Sequence, residues 1–228
     1  MANPRLLVYE AMFAVARFEI EDPSFHPYSG RYDADLEGRV RLTAEEARGL
    51  RLFEDPARGN CAGCHPDRPG PGGRPPLVTN FQYEALGVPR NAALPANRNA
   101  NDYDLGLCGP ERTDLERQTR YCGMFRTPSL RNVATRRVLF HNGRCHRLED
   151  VLAFYAPRDT RPEAVYPRGP DGRVRRFDDL PAAYRGNVDV TDPPFGRRAR
   201  EASRLSARDR RDIIAFLGTL TDGWQEPR

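Results

Sequence analysis

The sequence predicts an all-α domain whose helices are joined by long irregular loops. Thr43-Ala44-Glu45-Glu46 is a capping box, and Ser206-Ala207-Arg208-Asp209 repeats the arrangement with an aspartate, so each marks a helix start. Apolar residues follow both at helical spacing. The chain as a whole has 21 Pro and 19 Gly, most of them between these helices, and no strand-helix alternation flanks residues 45–75.

Taken in order, Leu6 to Ile20 is apolar but interrupted by Glu10, Arg17 and Glu19. It is too short and too charged for a membrane span, and no small-residue cleavage site follows it. It reads as an amphipathic helix with Leu7, Ala11, Ala14 and Phe18 on one face. Residues 21–42 read as a turn-rich linker. The helix opened by Thr43 carries Ala47, Leu50, Leu52 and Phe53 and leads through Asp55-Pro56 to Cys61. Residues 66–112 show no periodicity longer than a turn or two; Asn97, Asn99, Asn101 and Asp102 lack the glycine and final glutamate of an EF-hand. A short helix is expected from Thr113 to about Arg120. Residues 157–205 form a long insertion rich in Pro, Arg and Asp, expected to cover a bound group or meet a partner domain. The last helix presents Ile213, Ile214, Phe216, Leu217 and Leu220 on its apolar face.

The chain has 228 residues, enough for one large domain or two small ones. All 36 basic residues are Arg, set against 32 acids for a net charge of +4. They alternate with acids, as in Arg208-Asp209-Arg210-Arg211-Asp212, where a nucleic-acid site would gather them on one face. No nucleic-acid role is read here.

Cys61-Ala62-Gly63-Cys64-His65 carries the chemistry. C-x-x-C-H is the attachment signature of c-type haem: two thiols for the haem vinyl groups and an imidazole for the iron. A zinc site using Cys61, Cys64, Cys108 and Cys122 competes, although the second pair is too widely spaced for a knuckle. A thioredoxin-like pair competes less well without a βαβ pattern. With haem on Cys61 and Cys64, the five cysteines imply an oxidising compartment, where Cys108 and Cys122 can close a disulfide. Cys145 is left as a small buried hydrophobe. Leu52 and Phe53 are then expected to pack in the haem pocket.

Three further stretches carry a resemblance: FRTPSLRNVA (Phe125–Ala134), FHNG (Phe140–Gly143) and LEDVLAFY (Leu148–Tyr155). With Leu50–His65 and Ile214–Thr221, they make the chain similar to the C-terminal haem domain of the bacterial di-haem cytochrome c peroxidase and MauG-like family. The resemblance runs from about residue 8 to 223. It implies a cytochrome c-like haem domain holding one covalent haem c, and a peroxidase-type oxidoreductase acting in the periplasm. The division expected is 1–42, the tail of a preceding haem domain, and 43–228, the haem-binding domain. Haem c is attached outside the cytoplasm, so the lack of a recognisable export signal suggests a chain beginning after a missing N-terminal part. The peroxide-reacting haem belongs to the family's other domain, so no catalytic residue is assigned here. Electrons are expected to pass to that domain or to a redox partner protein.

The family's distal ligand is methionine in one group and tyrosine in the MauG-like group. The position on LEDVLAFY is Tyr155, so the resemblance implies His65 and Tyr155 as the axial pair. A phenolate favours ferric iron and a low potential, where a thioether would raise it. Met124 is the rival ligand. His141 is expected beside the haem, and Arg126 and Arg131 are candidates for its propionates, which a guanidinium can fork. The family's Thr-x-Pro before FHNG, whose carbonyls help bind calcium, reads Thr135-Arg136-Arg137 here, which argues against calcium. In cytochrome c folds the last helix crosses the N-terminal one over the haem, with Phe216 and Leu217 as expected contacts.

Overall fold

The computed structural model describes residues 3–226. Six α-helices carry the fold: α1 (Pro4–Glu21), α2 (Arg31–Leu36), α3 (Ala44–Glu54), α4 (Cys61–Cys64), α5 (Leu148–Tyr155) and α6 (Ala207–Gly218). The only strands among the described residues are β1 (Tyr83–Glu84) and β2 (Phe125–Arg126), antiparallel, with Tyr83 opposite Arg126. Everything else is 3₁₀ turns and loop. This is the all-α, loop-rich architecture the sequence implied, consistent with a cytochrome c-like fold.

The crossing of α3 and α6 organises the core. Both helices start at the expected caps: Thr43 N donates to Glu46 Oε2 at 2.7 Å, and Ser206 N donates to Asp209 Oδ2 at 2.7 Å. Gly49 lets the helices meet, since a Cβ there would lie 1.9 Å from the Asp212 carbonyl oxygen. Arg48 closes the crossing with a two-pronged bond to Asp212 at 2.9 and 3.2 Å. Phe216 is wholly buried, edge-on to Phe53 and Tyr32. Helix α5 rests on α6 from the other side, and Leu148, Leu152, Ile213, Leu217 and Leu220 join them in one core.

Three parts depart from expectation. Helix α1 forms, but none of its residues is buried; of the expected face, Phe18 meets Phe25 edge-on with ring centres 5.2 Å apart. Leu6, Leu7, Val8 and Tyr9 are four consecutive apolar residues, so they surround the helix instead of striping it. The segment read as linker holds a 3₁₀ turn (Pro23–Phe25) and α2. Tyr32, Asp33 and Ala34 of α2 are buried, Tyr32 edge-on to Phe216 of α6, and Ser29 N donates to Asp222 Oδ1 at 2.8 Å. No α-helix forms over 113–120, where turns end in the 3₁₀ segment Thr119–Tyr121. The insertion is ordered: Tyr166, Phe177, Leu180 and Val188 make a small core of their own.

Cys108 and Cys122 form a disulfide, and Cys145 is a buried free thiol. The bridge corrects the four-cysteine zinc alternative by consuming two of its ligands. Among the described residues no three His, Cys, Asp or Glu side chains converge as a metal cluster. No described helix is long and apolar enough to cross a membrane.

Candidate haem site

A cavity of about 900 Å³ opens beside α4, at the upper end of the range for small-molecule pockets. Its walls come from segments far apart in sequence. Helix α3 supplies Phe53; α4 and its flanks supply Cys61, Cys64 and His65. The FRTPSL stretch supplies Phe125 to Leu130, α5 supplies Leu148, Val151, Leu152 and Tyr155, and α6 supplies Ile213 and Leu217. The insertion completes it with Leu180, Pro193, Pro194 and Phe195, in keeping with its expected covering role.

Local backbone geometry sets the motif. The chain enters α4 through Asn60, in the left-handed region at φ 49°. Gly59 lies so close to α3 that a Cβ would stand 2.2 Å from the Leu52 carbonyl oxygen. The single turn closes with His65 N donating to Cys61 O at 2.8 Å. Both thiols are free and partly buried. Burial pushes the Cys61 thiol up to about 12 and raises that of Cys64 as well, so both are thiols at neutral pH.

His65 is held by the main chain. Its Nδ1 lies 3.0 Å from the Val78 carbonyl, which can only accept, so Nδ1 carries the proton and Nε2 the lone pair. Burial lowers the His65 pKa, partly offset by the carbonyls of Val78 and Pro128, keeping the ring neutral and able to ligate. Val78 is wholly buried at φ 53°, an outlying conformation for a β-branched residue. Its carbonyl also accepts from Leu130 N at 3.2 Å. No motif marked Val78; a β-branched residue in an irregular segment gives no warning of a left-handed turn.

Tyr155, the last residue of α5, lines the same cavity. Its ring packs on Phe154, Phe195 and Phe140, with centroids 5.3, 5.6 and 6.1 Å away. The hydroxyl has no hydrogen-bond partner among the described residues, and burial raises its pKa, with Arg158 opposing. Met124 does not line this cavity. It faces a separate shallow depression with Tyr83, Leu107 and Tyr121. The structure therefore brings Tyr155, and not Met124, to the wall shared by the CxxCH motif.

The remaining candidates divide. Arg126 is exposed at the cavity edge with its guanidinium over Phe81. His141 stacks on Phe125 at 3.5 Å and puts Nε2 3.4 Å from Asp179 Oδ2, while Asn142 donates to the same oxygen at 2.8 Å. Arg131 does not reach the cavity; it pairs with buried Asp33 at 2.7 Å and covers Tyr28. Arg136, which sequence reasoning passed over as a haem contact, does line it. Leu217 lines it as expected, but Phe216 turns away into the core and Ile213 takes its place.

The residues present fit a haem. Two free thiols, a neutral imidazole fixed through Nδ1 and an unpartnered phenol border one large, mainly apolar cavity with arginines at its edge.

No protein-family model matches the chain. It is 29% identical over 212 residues to the methylamine utilization protein MauG of Paracoccus denitrificans, covering 89% of this chain and 49% of MauG. A cytochrome-c peroxidase, IdrP1 of Denitromonas iodatirespirans, is 28% identical over 168 residues, covering 67% of this chain and 41% of that protein. Among solved structures, the diheme peroxidase BthA of Burkholderia thailandensis superposes with a TM-score of 0.78 at 43% identity, over 89% of this chain and 48% of BthA. This chain belongs to the bacterial di-haem peroxidase and MauG-like family. It spans about half the length of the relatives it matches. Membership makes haem the relevant cofactor, and the names of the relatives describe peroxidase-type oxidoreductases.

Proposed function

We propose that this chain is a c-type haem-binding electron-transfer domain, corresponding to the second haem domain of a di-haem peroxidase of the MauG-like kind. The observation that carries the reading is the shared cavity: Cys61, Cys64, a tautomer-fixed His65 and Tyr155 all border it. Cys61 and Cys64 would hold one haem c as thioethers, and His65 Nε2 and the Tyr155 oxygen would bind its iron. When bound, haem supplies the one-electron redox chemistry.

The chain's own residues set the terms of that chemistry. Val78 orients the His65 ring through Nδ1 and strengthens it as a donor. Tyr155 would hold the iron through its phenolic oxygen, and as a hard anionic donor it would favour the ferric state. Phe53, Leu152 and Leu217 exclude water from the interior face. Arg126 and Arg136, exposed at the edge of the cavity, would pair with the propionates, and His141, fixed by Phe125 and Asp179, lies along the wall.

In this reading the domain stores and passes electrons for a second haem domain where peroxide reacts. The whole protein would reduce hydrogen peroxide by two electrons, or use peroxide to oxidise a protein substrate. The division at residues 42 and 43, periplasmic location and a redox partner protein belong to the same proposal. Calcium is not part of it. A free-standing mono-haem carrier is the second reading, and an in-frame upstream segment with another CxxCH in the genome would contradict it.

Absorption and EPR spectra of haem-loaded protein test the assignment. Tyr155→Phe should abolish the tyrosinate signature of the ferric haem, and an unchanged ferric ligand field would remove Tyr155 from the iron. Peroxide turnover by the haem-loaded chain alone, at the ~1–10³ s⁻¹ typical of enzymes, would contradict a purely electron-transferring role.

A further inference from the structure

Beyond the ligand pair, the cavity wall behind Tyr155 contains a buried charge that the proposed function does not use. Arg158 lies three residues past Tyr155 and is wholly buried. A guanidinium is seldom fully buried unless its donors are matched. Here it forks onto Asp159 at 3.1 and 2.9 Å, and donates to the Leu86 carbonyl at 2.9 Å and the Asp189 carbonyl at 2.5 Å. Asp159 in turn accepts from Arg176 at 2.7 Å and from Gly196 N at 3.3 Å. Three parts of the chain are thereby tied together: the end of α5, the segment after β1, and the insertion.

The tie delivers one side chain to Tyr155. Phe195, from the insertion, is 3% exposed and carries the Arg158 guanidinium 3.3 Å from its ring centre. The same ring stacks on Tyr155 with planes 18° apart. Cation-to-ring contact is strongest when desolvated, at roughly 2 kcal/mol or more, so Phe195 is a firmly seated ring. Tyr155 has no hydrogen bond to fix it, and its neighbours Phe140 and Phe154 meet it at tilted and edge-on angles.

We infer that Arg158 and Phe195 are positioning residues: the buried guanidinium seats the Phe195 ring, and that ring fixes the plane of Tyr155 for ligation of the haem iron. The insertion is then part of the redox site, through one aromatic contact, as well as its cover. The inference rests on the reading of Tyr155 as a ligand. An oriented phenolate binds ferric iron better than one free to tilt, so loosening the ring weakens the ferric state selectively and raises the potential.

The test uses the haem-loaded chain and four variants, with ferric EPR, midpoint potential and thermal melting measured on each. Phe195→Leu keeps an apolar residue but removes the stacked ring. It should broaden the low-spin signal and raise the midpoint; a tenfold loss of ferric preference corresponds to ~59 mV for one electron. Phe195→Tyr restores a ring and should return both readouts to wild type, which a merely structural role would not require. Arg158→Lys keeps the charge and loses the fork, and should shift both in the direction of Phe195→Leu; it carries the test if the leucine variant does not fold. Tyr155→Phe is the reference. Wild-type spectra and midpoint in Phe195→Leu, or in Arg158→Lys where that variant carries the test, with altered values in Tyr155→Phe, overturn the inference. Unaltered values in Tyr155→Phe overturn the ligand reading beneath it.

Discussion

The Nδ1 of His65 lies 3.0 Å from the carbonyl oxygen of Val78, thirteen residues along the chain, and Val78 adopts a left-handed conformation in making that contact. The bond assigns the proton of the imidazole and thereby the atom left to bind iron. A backbone acceptor cannot be removed by changing a side chain, so the conformation of Val78 is the accessible variable. Val78→Pro cannot adopt a positive φ. It should displace the carbonyl and lower haem retention during maturation, read as the ratio of Soret to protein absorbance.

Met124 faces away from the cavity, so Met124→Leu should leave the ferric spectrum of the loaded chain as it was. The stability cost should stay under about 1.5 kcal/mol, as for volume-conserving apolar exchanges. Urea denaturation and an absorption spectrum check both halves. A changed ligand-field signature would restore Met124 as a ligand.

Gly49 is required by the approach of α3 to Asp212 and not by its dihedral angles. Gly49→Ala must push the helices apart, at a cost of roughly 1–3 kcal/mol for overpacking, despite alanine's better helix propensity. Denaturant midpoints at constant m-value are the measurement, and a neutral or stabilising result would show that the crossing has slack.

Arg48 hydrogen-bonds Asp212 and holds its carboxyl below the usual aspartate range. A lowered folded-state pKa means stability that is present above the unfolded value of about 3.9 and lost as pH falls through the folded value. Asp212→Asn should therefore flatten the acid limb of stability against pH, below about pH 4, relative to wild type. Thermal melts across that range check it; parallel curves would mean the pair contributes no pH dependence.

The Cys108–Cys122 bridge closes a loop of 14 residues' separation. Replacing both cysteines by serine should cost about 3 kcal/mol by the loop-entropy estimate. The haem spectrum should not change, because neither sulfur borders the cavity.

The sequence was most legible where one residue does one local job. Hydroxyl caps announced α3 and α6, and C-x-x-C-H announced the site. Less was legible where the structure depends on what packs from elsewhere. Segment 21–42 looked like linker because its buried residues, Gly30, Tyr32, Asp33 and Ala34, show no apolar period; only the arrival of α6, with Phe216, gives Tyr32 a surface to bury against. The apolar pattern of α1 predicted the helix, but the face read from it is left unburied, since apolar residues lie on every side. Arg131 matched a propionate partner by charge alone, yet Asp33, nearly a hundred residues earlier, takes it. The roles of Val78, Arg136, Arg158 and Phe195 arise from long-range contacts that leave no local signal.

The most direct measurement is the intact mass of the chain, produced in a host that matures c-type cytochromes, beside Cys61→Ala/Cys64→Ala. The account predicts wild-type protein heavier by one haem after denaturation, and the double variant at the mass of the polypeptide alone. Wild-type protein at the polypeptide mass would contradict it.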